Sequence, residues 1–221
     1  FAFAYAPNVT PIVLSPRARH PLAWLLWFEY AVPRALRRCK AEVFFSPDSY
    51  LSLRADTPTV MTVHDVIPLQ EPAQVRWWAR DYYRWFIPRY LRRADRLVAV
   101  SSFTKNQILQ VVNTIEADKI AVVYNGSREG FKPIPEADIR AVRDQFAGGA
   151  PYFFYTGAIH PRKNIPRLIR AFDRFKTLAP TPVKLLLAGR FAWQTDAVSA
   201  ALEQARYRND IVVLGYVPDE Q

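Results

Sequence analysis

The ten residues Tyr155-Thr156-Gly157-Ala158-Ile159-His160-Pro161-Arg162-Lys163-Asn164 set a glycine, a histidine, a proline and two adjacent cations between an apolar run and a helical pattern. Gly157 permits a sharp turn after a strand. Arg162 and Lys163 fall just before a helix N-terminus, where partial positive charge and backbone N–H groups favour anions. An Arg fork makes bidentate contacts to oxygen and a Lys adds a mobile charge, so the pair suits a diphosphate. Cations at a helix start oppose its dipole, and a solvated loop is the plainer account of them. A second candidate is Thr62-Val63-His64-Asp65. His64 follows an apolar run that reads as a buried strand, with a carboxylate beside it. A histidine so placed can move a proton near neutral pH or bind a substrate hydroxyl, or it can simply cap the next turn.

Other chemistries leave no trace. There is no G-x-G-x-x-G and no G-x-x-x-x-G-K-[ST], with only seven glycines in the chain, which argues against a dinucleotide dehydrogenase and a P-loop NTPase. No His/Cys cluster has zinc spacing, so no metal site is expected. No G-x-S-x-G elbow occurs. Cys39 is the single cysteine. It excludes an internal disulfide, fits a reducing compartment, and reads as incidental beside Arg37, Arg38 and Lys40.

The elements that must position these residues follow from apolar patterning. Short buried strands are expected at 12–14, 43–46, 59–63, 96–100, 120–124, 152–156, 184–188 and 211–214, with helices at 21–40, 75–93, 102–114 and 165–178. Ser101 or Ser102 can cap the third helix and Asn164 the fourth, with Pro166 in its first turn. Alternating strands and helices predict parallel sheets, whose ligands sit at the carboxyl ends of the strands. The stretch from Asn125 to Pro151 holds Gly126, Gly130, Pro133, Pro135, Gly148 and Gly149 around one short helical piece, 136–146. It reads as a hinge between two α/β domains.

The chain has 221 residues, 50% hydrophobic and 23% charged, a globular composition, and its net charge is +10 with Arg far outnumbering Lys. A basic surface favours nucleic acid, anionic lipid or a phosphorylated small molecule. Two segments combine aromatics with Arg. One runs from Trp24, Trp27 and Phe28 to Arg34, Arg37, Arg38 and Lys40; the other runs from Trp77 to Arg93. The favoured reading of both is an amphipathic helix with aromatics in the core and Arg stems outside. Interfacial membrane contact comes next and single-strand nucleic acid last. No apolar run reaches the roughly 20 residues of a membrane span. The start, Phe1-Ala2-Phe3-Ala4-Tyr5-Ala6, has no initiator Met or basic leader, and Val217–Gln221 closes no element. Both ends read as internal to a longer protein.

Several motifs in order carry a family resemblance. They are Thr62–Leu69, Arg93–Ser101 with Thr104-Lys105, Lys119–Gly126, Phe131-Lys132-Pro133, Tyr155–Asn164, Lys184–Gly189 and Val213–Val217. Together they resemble the retaining glycosyltransferases of family 4. That resemblance implies a GT-B fold, two Rossmann-like α/β domains facing each other across a cleft. Residues 1–126 would form a partial N-terminal acceptor domain, 127–150 a linker, and 151–221 the first half of a C-terminal nucleotide-sugar domain. It implies a metal-independent hexosyltransferase with no cofactor, taking a UDP- or GDP-linked sugar to a glycan or lipid-linked acceptor with retention. The setting would be cell-surface polysaccharide or glycolipid synthesis in the cytoplasm, peripheral at the anionic inner face of the membrane, with no nucleic acid.

By the same resemblance Lys163 contacts the donor diphosphate, with Gly157 at the turn. Many members carry an arginine directly after that glycine; here the position is Ala158, and Arg162 takes over the charge. His64, with Asp65, matches the active-site histidine on the acceptor side. Gly215 and Tyr216 lie where the backbone nears the nucleotide base. The family's acidic segment would follow Gln221 and its glycine-rich opening loop would precede Phe1, so this stretch alone is expected to be inactive. The rival readings are a basic membrane-surface module without catalysis, a nucleic-acid binder, and a phosphorylase-like enzyme using free phosphate.

Overall fold

The structure, a computed structural model, describes residues 6–18, 20–75, 77–127, 131–192 and 195–218. The opening residues Phe1–Tyr5, the hinge residue Gly130, Arg76 in the second aromatic segment and the closing Asp219–Gln221 lie outside the described residues. The chain falls into two compact units that divide between residues 127 and 128.

The first unit holds four parallel strands side by side in sequence order: β1 (Phe44–Ser46), β2 (Thr59–Val63), β3 (Arg96–Ala99) and β4 (Ile120–Val122). Phe44 pairs with Thr59, Val60 with Arg96, and Leu97 with Ile120. The helices are α1 (Pro21–Leu26), α2 (Val32–Arg38), α3 (Ile67–Gln70), α4 (Trp77–Arg93) and α5 (Ser102–Val111). The core forms where β2 and β3 meet α4 and α5: Met61, Val63, Leu97 and Ala99 pack with Ile87, Tyr90, Leu91 and Ile108. Asp95 sets the β2–β3 register. Its N–H donates to the Thr59 carbonyl at 2.8 Å, and its carboxylate accepts the Thr59 N–H at 2.7 Å. Two phenol pairs lie beside this core, Tyr82 with Tyr90 at 3.0 Å and Tyr50 with Tyr83 at 3.3 Å. Burial pushes the Tyr50, Tyr82 and Tyr90 hydroxyls above the usual tyrosine range, so they stay protonated and hydrogen-bond as neutral groups.

Two expectations fail here. Residues 12–14 form no strand, and Val13 is 77% exposed. Pro11 and Pro16 bracket the run and lack the N–H groups a ladder requires. The expected helix 21–40 is interrupted by a π-helical turn at Trp27–Ala31. Pro33, at the start of α2, has no N–H for the Glu29 carbonyl, so the regular ladder cannot run straight through.

The second unit is α6 (Glu136–Ala147) followed by β5 (Tyr152–Thr156), α7 (Ile165–Leu178), β6 (Lys184–Ala188), α8 (Asp196–Gln204) and β7 (Ile211–Gly215). Its strands are parallel in the order β5-β6-β7. Strand alternation divides its side chains. Phe153 meets Phe172 and Phe175 of α7, while Leu185, Leu187 and Ile211 pack with Ile169, Val198 and Leu202. Tyr152, Phe154, Leu186 and Leu214 point the other way. Sequential parallel strands with right-handed crossovers put both α7 and α8 on one face, which explains the asymmetry. Helix α8 is absent from the sequence-based list, although Val198 and Leu202 carry its apolar i, i+4 spacing.

Lys176, only 5% exposed, ties this unit together. Its ammonium lies 2.8 Å from the Asp210 carboxylate and donates to the carbonyls of Thr181 and Val183. It thereby joins the last turn of α7 to the entries of β6 and β7. Lys176→Met leaves one carboxylate and two carbonyls unpaired, and we expect a loss of about 2–3 kcal/mol in urea unfolding of the second-unit transition. An unchanged midpoint would show that the ion pair adds nothing.

Candidate functional site

Three glycines end the three strands of the second unit, each with positive φ: Gly157 (138°), Gly189 (150°) and Gly215 (70°). At Gly189 the need is absolute. A Cβ there would lie 1.8 Å from the Gly157 carbonyl oxygen. The close approach is stitched by hydrogen bonds from Gly157 N–H to Ala188 O (3.0 Å) and Gly189 N–H to Gly215 O (2.6 Å). Beyond the strands, Ile159 N–H reaches Arg190 O at 3.0 Å and Ala192 N–H returns to Ile159 O at 3.0 Å. The carboxyl ends are thus drawn into one rim. A cavity of about 1070 Å³ opens beside it, lined at the rim by Gly157, Ala158, Gly189, Arg190 and Tyr216, and below by the apolar face that carries Phe154 and Leu186. The Arg190 guanidinium sits 4.6 Å from the centre of the Tyr216 ring. Cation and exposed aromatic form a platform that suits an anionic ligand with a flat group.

The Pro-Arg-Lys turn lies next to this rim in sequence. Pro161–Lys163 is one turn of 3₁₀ helix, and α7 begins at Ile165. The free backbone donors expected here are engaged within the turn. Arg162 N–H donates to His160 Nδ1 at 3.2 Å, Lys163 N–H to His160 O at 2.8 Å, and Asn164 N–H to Pro161 O at 3.0 Å. Pro166 has no N–H at all. Three of the amides expected to face an anion are therefore engaged inside the turn, and the side chains of Arg162 and Lys163 are exposed beside them. Asn164 is also not the side-chain cap that its type suggests. It sits in the left-handed region (φ 51°), and its side chain makes no cap bond. Asn tolerates that conformation, and using it turns the chain from the 3₁₀ turn into α7. His160 is the true cap of the turn. Burial, with the Arg162 and Lys163 charges, pushes its imidazole below the usual histidine range. A neutral ring is what the cap requires, because Nδ1 must accept.

In the first unit, His64 and Asp65 follow β2 directly, at the carboxyl edge of that sheet. His64 is exposed, and its Nε2 lies 2.8 Å from the Pro47 carbonyl just beyond β1. A carbonyl only accepts, so Nε2 carries the proton and Nδ1 is the acceptor nitrogen. The His64 carbonyl accepts from the Thr104 hydroxyl at 3.3 Å. Ser101 caps α5 as expected, its hydroxyl accepting the Thr104 N–H at 3.0 Å. The Asp65 carboxylate accepts the Ile67 N–H at 3.1 Å, which gives it a structural duty at the start of α3. Lys105 staples α5 to β4 by donating to Ala117 O and Ile120 O, both at 2.8 Å.

The structure brings Gly157 and Tyr216 together at one cavity, with Gly215 between lining residues; Arg162 and Lys163 are outside that lining, and His64 with Asp65 belong to the other unit. Sequence reasoning missed Gly189, Arg190 and His160. The Gly189-Arg190 pair directly after β6 was a readable signal, a glycine and a cation at a strand's carboxyl end. His160 was counted but given no role. Among the described residues no group of three or more His, Cys, Asp or Glu could hold a metal ion, and no helix is long and apolar enough to cross a membrane.

Comparison with known proteins adds the family. The family model described as Glycosyltransferase Family 4 matches residues 2–127. O-antigen chain mannosyltransferase B of Escherichia coli is 27% identical over 190 residues, 84% of this chain and 49% of that protein. O-antigen chain mannosyltransferase RfbU of Salmonella typhimurium is 24% identical, over 77% of this chain and 44% of that protein. The chain thus spans about half the length of these curated relatives. Among solved structures, Anabaena Alr3699/HepE in complex with UDP and glucose has a TM-score of 0.66 at 18% identity, covering 90% of this chain and 55% of that one. WaaG, a glycosyltransferase involved in lipopolysaccharide biosynthesis, has a TM-score of 0.64 at 16% identity, covering 95% and 57%. Likeness at these identities is likeness of fold: parallel α/β units of the GT-B type.

Two outcomes test this geometry. Gly189→Ala drives a methyl into the Gly157 carbonyl and imposes a strained φ; we expect the second-unit unfolding midpoint to fall by an amount worth about 2–4 kcal/mol, and an unchanged midpoint would show that the rim relaxes around the methyl. For His160 the folded state takes up a proton less readily than the unfolded chain. Stability is therefore full above about pH 6.5 and falls as pH drops below that value toward the lowered folded one. In urea titrations from pH 7.5 to 5.5 the wild type should lose stability that His160→Asn does not lose.

Proposed function

The chain belongs to Glycosyltransferase Family 4, and from that premise we propose that its protein transfers a hexose from a nucleotide-diphospho-sugar to an acceptor hydroxyl with retention, in the synthesis of a cell-surface polysaccharide or glycolipid. Mannosyltransferase relatives support the hexose, and the UDP and glucose carried by a structural neighbour support a nucleotide-sugar donor. The donor in this reading is UDP- or GDP-linked, and no cofactor takes part. The acceptor is a glycan or a lipid-linked sugar, met in the cytoplasm at the inner face of the membrane. The observation that carries the reading is the cavity at the glycine rim, with Arg190 and Tyr216 on its edge.

Breaking the glycosidic bond leaves negative charge on the departing diphosphate. Fixed cations stabilise that charge without reorganising, and here they stand in for a bound metal. Ala158 leaves its own position without charge, and Arg190 lines the same cavity. We assign Arg190 to the diphosphate alongside Lys163, with Arg162 as the neighbouring cation. Gly157 and Gly189 let the ligand approach the backbone, and Gly215 and Tyr216 meet the nucleotide base. On the acceptor side, His64 Nδ1 accepts a hydrogen bond from a sugar hydroxyl while Pro47 holds the opposite nitrogen. Asp65, beside it in sequence, is held by the Ile67 N–H.

Titration calorimetry of the intact protein with UDP and GDP is the test. Saturable binding to one of them is expected. Arg190→Ala and Lys163→Ala should each raise Kd roughly tenfold or more, the scale of one charge-assisted hydrogen bond. The reading is lost if neither nucleotide binds saturably, or if both variants bind as the wild type does.

A further inference from the structure

Helix α4 faces two ways. Ala79, Ile87, Tyr90 and Leu91 are buried in the core of the first unit. On the opposite side Trp77, Asp81, Arg84, Trp85, Pro88 and Arg92 recur at spacings of three and four, so they share one face. Trp77 is 79% exposed and Trp85 48%. Arg80 and Arg89 flank the face on opposite sides and are exposed as well. Four arginines stand there against one aspartate. The Arg89 guanidinium lies 3.7 Å from the Trp85 ring centre and donates to the Trp85 carbonyl at 2.6 Å, which holds that ring and charge together. The sequence favoured burying the aromatics of this helix. Tyr82, Tyr83 and Phe86 do turn inward, but these two indoles do not.

We infer that this face of α4 is the surface by which the protein lies on an anionic lipid bilayer. Indole rings settle at the headgroup boundary, where the ring is in apolar surroundings and the N–H in water. Trp77 and Trp85 stand about 12 Å apart along the helix axis at 1.5 Å per residue, so both reach one plane. The arginines beside them meet lipid phosphates, and the chain as a whole carries a net charge of +10, of the same sign. The partner class rests on the reading that the acceptor is met at a membrane; the surface itself is independent of the transfer chemistry. Vesicle binding and nucleotide binding are separate measurements, so either can fail alone.

The test is flotation of the protein with vesicles of phosphatidylcholine alone and with vesicles containing three parts phosphatidylglycerol in ten. Binding to the anionic vesicles, weakened by added salt, is expected, with little binding to the neutral ones. Arg80→Ser with Arg84→Ser should lower the partition coefficient roughly 25-fold, from about 1 kcal/mol per surface cation. Trp77→Ser with Trp85→Ser should lower it on the order of tenfold or more, with unchanged melting. In case serine disturbs folding, Trp77→Phe with Trp85→Phe gives a second readout. Brominated lipid should quench wild-type tryptophan emission, and this variant should bind yet lose most of that quenching. Equal binding to both vesicle types overturns the proposal. So does anionic binding that neither double serine variant weakens, or quenching that persists in the phenylalanine variant. Tighter binding to a single-stranded oligonucleotide than to the anionic vesicles, abolished by the same arginine changes, would transfer the face to nucleic acid and overturn it too.

Discussion

At the carboxyl ends of β5 and β6 two backbones meet with nothing between them. The Gly157 carbonyl oxygen occupies the volume that a Cβ on Gly189 would need. From that contact the rest of the second-unit rim follows. Gly189 can then bond to Gly215, the chain beyond Gly157 runs beside Arg190, and Ile159 is buried under the crossing. Arg190 and Tyr216 are held at the mouth of one cavity as a result. A single methyl at position 189 would separate what the cavity requires to be adjacent. The site is therefore made first of backbone proximity and only then of side-chain chemistry.

The carboxyl edge of the first sheet is organised by different means. There, side chains complete the backbone's hydrogen bonding. Ser101 caps α5, Asp65 accepts the Ile67 N–H where α3 begins, and Thr104 meets the His64 carbonyl. The imidazole of His64 is oriented by the Pro47 carbonyl from the neighbouring strand's end. Parallel pairing places β1 and β2 so that their ends lie side by side, and this lets a residue 17 positions away fix the tautomer. Ligands gather at such edges because the strands all point there and their loops converge.

Helix α4 shows how one pattern serves two solvents. Its inward face closes the core over Met61 and Leu97, and its outward face joins indoles to guanidinium groups. Pro88 lies within the helix and removes one rung, leaving the Arg84 carbonyl without its usual donor on the exposed side, where water can supply one. The aromatic residues of this segment divide accordingly, with Tyr82, Tyr83 and Phe86 turned toward the core and Trp77 and Trp85 exposed on the other side.

Much of this was readable from residue order alone. Apolar runs marked seven strands, and their alternation with helical patterns marked the parallel class, although β1 and β5 keep part of their apolar surface exposed. The motif order pointed to the family, and Gly157, Tyr216 and His64 could be placed at strand ends without coordinates. What sequence could not supply was contact. Asn164 has a cap's side chain, yet its left-handed backbone aims it elsewhere, while His160 caps the turn instead. The amides before α7 looked available because helix starts usually leave them so, but the turn engages those of Arg162, Lys163 and Asn164 itself. Gly189 and Arg190 are legible as a glycine and a cation after a strand, but the backbone contact of Gly189 with Gly157 arises only where β6 comes against β5, residues some thirty positions apart in the chain. Local propensity reports on neighbours within a turn or two; which distant backbone fills a glycine's empty side is decided by packing, and only the tertiary structure holds that information.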